Sequence, residues 1–135
     1  MDQQQVKGIA ELFITELHCI EDGDAAGINR IVDMFSDSAE LANPIIERNG
    51  SGRTGRDQIA DFWREYSTSF QDIHSEFFDI TASDHSAGLF WRSTGTNATG
   101  QPLEYEGVSL LELDDTGKIA RFKGFFDTRQ VTISK

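Results

Sequence analysis

The sequence predicts an α+β domain in which one antiparallel sheet curls over a layer of helices. Apolar residues recur every three or four positions up to about residue 70 and alternate from Asp72 onward. Helical segments come first and strands follow, which separates this pattern from an alternating βαβ chain. The scale fits one core: 135 residues, 38% of them hydrophobic and ten of them Phe. Repeats, linkers and low-complexity segments are absent, so residues 1–135 are read as a single domain.

Val6, Ile9, Ala10, Phe13, Ile14, Leu17 and Ile20 keep the i, i+3, i+4, i+7 spacing over four turns and predict a long first helix. EDGD supplies a turn and Asp24 a cap, after which Ile28, Ile31, Val32 and Phe35 predict a shorter, antiparallel second helix. Ala39–Asn43 reads as a short extended run stopped by Pro44, and Glu47–Gly55 as a loop. Thr54 and Asp57 have capping-box spacing, and Ile59, Phe62, Trp63, Tyr66 and Phe70 form the apolar stripe of a third helix. Four strands follow at about Ile73–Ala82, Ala87–Asn97, Leu103–Leu113 and Lys118–Val131, separated by SDHS, ATGQP and DDTG. Short turns between long strands make an antiparallel meander.

Twelve Lys+Arg against 23 Asp+Glu leave a formal charge of −11, a field that repels phosphate backbones and anionic lipid. Neither a nucleic-acid nor a membrane role is expected. The most apolar stretch, around Glu11–Ile20, is broken by Glu16 and His18 and is too short for a membrane span. MDQQQVKG has neither the basic region nor the cleavage site of a secretory signal, and the lone Cys19 forms no internal disulfide, so a cytoplasmic location is expected. Cys19 and His18 diverge around the helix, which makes Cys19 a spectator. His18, His74 and His85 are far apart in sequence, and neither HxH nor HExxH occurs, so no metal site is expected. GSGRTG lacks the Lys-Ser/Thr of a phosphate loop, and no cofactor is called for.

The order of these elements, with FSDSAELANP, GRTGRDQIADFW and GVSLLELDDTGKIARFKGFFD, resembles the nuclear-transport-factor-2-like superfamily across about residues 5–130. That resemblance implies a cystatin-like cone: three N-terminal helices packed in a curved, mostly antiparallel sheet of four long strands plus short first strands. It also implies an apolar pocket at the open end and a homodimer formed through the outer sheet face. The group includes ketosteroid isomerases, SnoaL-type cyclases, limonene-epoxide hydrolases and members without a reaction, so function rests on the pocket residues.

Ketosteroid isomerases carry a catalytic Asp before the proline of the first strand, where this chain has Asn43, and an amide cannot take a proton at neutral pH. Their oxyanion-hole Tyr and Asp align with Glu16 and Ser109, so steroid isomerisation by the usual set is not expected. Against the epoxide hydrolases, Asn43, Arg92 and Asp127 match, while Leu41 and Thr94 replace a Tyr and an Asp. SnoaL-type cyclases use an acid/base Asp or His, a part open here to Asp127 or Glu104.

The catalytic candidates implied are therefore Asp127, Arg92 and Asn43, with Arg92 as electrostatic partner of Asp127. Trp63, Tyr66, Tyr105, Ser109, Phe122 and Phe126 are the candidate binding residues, on a surface where core and pocket wall coincide. Each has a plainer role open to it. Strand parity sets Arg92 with Phe90 and Thr94, opposite Trp91, and leaves solvent open to the guanidinium. Asp127 points inward only across a bulge, and Asn43 can cap the loop after it. The expected ligand is a small hydrophobic, oxygen-bearing molecule. The first reading is an acid/base enzyme without a cofactor, and its rival is a non-catalytic ligand-binding or partner-binding dimer.

Overall fold

The computed structural model describes residues 1–48, 50 and 52–130. Its elements in chain order are α1 (Gln3–Glu21), α2 (Ala26–Asp33), β1 (Phe35–Ala42), α3 (Pro44–Arg48), β2 (Arg53–Thr54), α4 (Arg56–Thr68), β3 (Phe70–Ala82), β4 (Ser86–Asn97), β5 (Pro102–Leu113) and β6 (Ile119–Phe126). A 3-10 turn over Thr128–Gln130 follows. The expected continuation of the last strand to Val131 lies outside the described residues, as does part of the expected loop Glu47–Gly55.

The strands form one curved sheet in the order β2-β1-β6-β5-β4-β3, antiparallel throughout except where β1 runs parallel to β6. The predicted α+β cone is the observed fold. No helix among the described residues is long and apolar enough to cross a membrane.

Helix α1 buries Val6, Ala10, Phe13, Leu17 and Ile20, the stripe its periodicity predicts. Asp2 and Gln5 close a reciprocal capping box at its start, satisfying two backbone N–H groups that a helix end leaves open. The box expected at Thr54 and Asp57 does not form: Gly55 is the N-cap of α4, without a side-chain bond, and Gln58 Oε1 instead accepts from the Thr54 N–H. The extended run begins at Phe35, four residues earlier than expected, because Phe35 packs into the core as the first residue of β1 rather than as the last of the second helix.

Register builds the concave face in rows of cross-strand neighbours. Ser75, Ser93 and Tyr105 stand side by side on β3, β4 and β5; Trp91, Gly107 and Phe126 form the next row, and Leu89, Ser109 and Gly124 the one after. Ala87, Leu111, Phe122 and Leu41 continue it. This last row packs against Phe13, Ile31, Phe35 and Ile59, which are all essentially inaccessible, and closes the narrow end of the cone. Gly107 is required by its row: a Cβ there would lie 2.6 Å from the Trp91 ring and collide with the Phe125 carbonyl oxygen.

Candidate functional site

Between the concave face and helices α1 and α4 lies a cavity of about 720 Å³, within the size range of small-molecule sites. Helix α4 contributes Trp63 and Tyr66, the sheet contributes Tyr105, Ser109, Phe122 and Phe126, and Asn43 joins them from the end of β1. All six residues expected to bind ligand, together with Asn43, thus line one space. Its apolar wall is a chain of edge-on aromatic contacts: the Trp63 centroid lies 4.9 Å from Phe62, 5.8 Å from Tyr66 and Phe122, and 5.9 Å from Phe13. Trp91, Tyr105 and Phe126 form a second group, with centroids 5.2–6.1 Å apart.

The polar side of the cavity is a hydrogen-bonded chain that ends on Glu21. The Glu21 carboxylate accepts from the Tyr66 hydroxyl at 2.6 Å, from the Ser75 N–H at 2.9 Å and from the Ser75 hydroxyl at 2.6 Å. Ser75 Oγ lies 2.6 Å from Ser93 Oγ, and Ser93 meets the Tyr105 phenol. A carboxylate only accepts, so Ser75 gives it a proton and must itself accept from Ser93. Ser93, with its one proton spent, presents only lone pairs to Tyr105.

Burial, reinforced by the negative Glu21, pushes the Tyr66 phenol well above its usual range and raises that of Tyr105 as well. Both phenols are neutral at physiological pH. They are not suited to service as bases, and the Tyr66 proton is already given to Glu21. The Trp91 indole N–H donates to Ser109 Oγ at 3.0 Å, which fixes the ring across Gly107. Asn43 fills both roles open to it. Its Oδ1 accepts from the N–H groups of Ile45 and Ile46, each at 2.9 Å, so it caps α3 at Pro44, while the residue also lines the cavity.

The other two catalytic candidates lie elsewhere. Strand β6 ends at Phe126, and Asp127 directly precedes the 3-10 turn, where its carboxylate takes the Arg129 N–H at 2.9 Å and the Arg129 guanidinium at 2.8 Å. Arg129, not Arg92, is its partner, and Arg129 holds the Asp127 carboxyl down to about 2. A base that weak is far from the neutral range useful for proton transfer. Arg92 alternates with the buried Trp91 and Ser93, so it projects from the outer face and pairs with Glu106 at 3.2 Å. No bulge interrupts β4 beside it, and the expected Arg92–Asp127 pair is not formed. Glu104 is exposed on the outer register of β5. Glu16 is buried against α2, where it pairs with Arg30 at 2.7 Å.

Sequence reasoning missed Glu21, Ser75 and Ser93. Their bonds span 18 to 54 residues of chain, and Glu21 reads locally as part of a turn. The legible trace was parity, which places Ser75 between Ile73 and Phe77 on the inward register of β3. The histidines also differ from expectation. Despite their separation in sequence, the His18 and His74 rings stack with centroids 5.2 Å apart.

The cone thus encloses an apolar cavity crossed by a row of hydroxyl groups. The chain belongs to the SnoaL-like domain family, which matches it over residues 10–122. No curated protein matches it. Solved structures agree in fold. The epoxide hydrolase/cyclase-like enzyme SalBIII, with a role in pyran ring formation in the polyether salinomycin, is 19% identical over 97% of both chains, with a TM-score of 0.76. A nuclear-transport-factor-2-like protein of unknown function from Exiguobacterium sp. 255-15 is 20% identical over 88% of this chain and 98% of its own, with a TM-score of 0.73. A ketosteroid isomerase-like protein from Kribbella flavida DSM 17836 is 18% identical over 93% of this chain and 79% of its own, with a TM-score of 0.70.

Proposed function

We propose that this protein binds a small, neutral, largely apolar molecule bearing a hydroxyl group, and that it does so as a homodimer. The observation that carries the reading is the cavity itself: aromatic walls, a polar row at Ser75, Ser93 and Tyr105, and Arg48 and Glu65 as its charged lining residues. The chain's charge of −11 disfavours anionic ligands. Catalysis by Asp127 with Arg92 and Asn43 has little support, since only Asn43 of the three lines the cavity. Binding without turnover is therefore the reading adopted.

Both tryptophans, Trp63 and Trp91, line the cavity and report on its contents. Titration with naphthol, an apolar ring carrying one hydroxyl, is expected to quench their fluorescence saturably at one molecule per chain. Naphthalene, without the hydroxyl, should bind more weakly. Equal affinity for the two would remove the role given to the polar row, and unsaturable quenching would remove the site.

The dimer rests on the opposite face of the sheet. Phe90, Val108 and Phe125 are cross-strand neighbours there, and Phe78 lies beside Phe90 with centroids 6.4 Å apart. Phe78 and Phe125 are 58% and 44% exposed, an apolar stripe across four strands of the kind that marks an interface. A self-complementary patch of this sort suits a two-fold dimer. Sedimentation at micromolar concentration should give a dimer, and Phe78→Asp with Phe125→Asp a monomer. A monomeric parent chain would contradict the interface.

A further inference from the structure

We propose that His18, Glu21 and His74 form a binding site for one divalent transition ion of the zinc class, where α1 meets the edge strand β3. Each residue offers a donor atom, and the three atoms lie within 4.8 Å of one another. His18 and Glu21 are three residues apart on α1, so they share one face of the helix, and His74 reaches them from β3. A separate groove at this place is lined by His18, His74, Glu11 and Glu76 among others, and the two carboxylates supply negative potential for a cation.

Hydrogen bonding prepares the two helix ligands. His18 Nε2 lies 2.7 Å from the Ser75 carbonyl oxygen, which can only accept, so Nε2 carries the proton and Nδ1 keeps its lone pair. A ring N–H held by a backbone carbonyl is the usual support of a metal-binding imidazole. Ser75 also gives its backbone N–H and its hydroxyl to Glu21, so this one residue positions both ligands. Oε1 of Glu21 receives only the Ser75 N–H and retains a lone pair.

His74 is exposed, so its ring is free to turn and close the set toward the roughly 2.0–2.2 Å of zinc–nitrogen and zinc–oxygen bonds. Two imidazoles and a carboxylate favour zinc, cobalt, nickel or copper over magnesium or calcium, and leave a fourth position to water. Cys19, the neighbour of His18, is not part of the set.

The test uses the full chain freed of metal with a chelator and titrated calorimetrically with zinc chloride, with cobalt(II) as a spectroscopic probe. One ion per chain is expected to bind, and His74→Gln should weaken binding by at least about 10–100-fold and abolish the visible cobalt bands. His74 is exposed, so this variant should keep its fold, which circular dichroism checks. His85→Gln should bind as the parent chain does, because His85 stands apart in the turn before β4 beside Asp84. Absence of stoichiometric binding overturns the proposal, as does equal affinity in His74→Gln or a comparable loss in His85→Gln.

Discussion

Trp63→Ala is expected to destabilise the fold by about 3–5 kcal/mol, the cost of emptying a large buried aromatic site. Trp63 is 3% exposed and touches the rings of Phe13, Phe62, Tyr66 and Phe122, so truncation strips contacts from two helices and the sheet together. Its indole N–H has no hydrogen-bond partner among the described residues, so the loss is one of packing alone. Trp63→Phe keeps an aromatic ring and removes that unpaired donor. It should cost much less, because burying an unpaired polar group is itself unfavourable. Urea denaturation of the two variants checks this. An alanine variant within about 1 kcal/mol of the parent would mean that α4 does not pack as described.

Glu21→Gln should cost about 1–3 kcal/mol, since an amide cannot accept from all three donors that the carboxylate satisfies, and a buried donor is left unpaired. Tyr66 supplies one of those donors. In the Tyr66→Phe background the same change should therefore cost less, with a coupling of about 0.5–3 kcal/mol between residues in direct contact. Measured in a chelator, so that bound metal does not contribute, strictly additive effects would show that the bond from Tyr66 to Glu21 does not hold the cavity wall.

Much of the fold was legible because its signals are local. The stripe from Val6 to Ile20 depends only on helical pitch, and the strands only on alternation and turn chemistry, so both survive without knowledge of neighbours. Ala39–Asn43 reads as extended, but Phe35 continues the spacing of α2 and reads as helix until the β1 pairing with β6 decides otherwise. Short α3 and β2 carry too few residues for a period. In the site, the walls followed from the same patterns: the α4 stripe contains Trp63 and Tyr66, and inward parity contains Tyr105, Ser109, Phe122 and Phe126.

Charged groups were harder. Arg129 stands two residues beyond Asp127 and captures it through an ordinary turn, a closer partner than one on another strand. Arg92 follows the parity that pairs it with Glu106. The Glu21–Ser75 and His18–Ser75 contacts join residues 54 and 57 positions apart, for which a single sequence offers no periodic signal.

Gly124→Val should close the cavity to a ligand. A Cβ at Gly124 would meet Asn43 Cβ at 3.5 Å and the Phe126 ring at 3.9 Å, ordinary contacts, so the larger side chain enters cavity space without forcing the backbone. Valine suits a strand, and the variant should remain folded. Naphthol titration followed by tryptophan fluorescence should give saturable one-to-one binding in the parent chain and a loss of at least about tenfold in Gly124→Val, equivalent to 1.4 kcal/mol. Undiminished affinity in a folded Gly124→Val variant would place binding outside the cone.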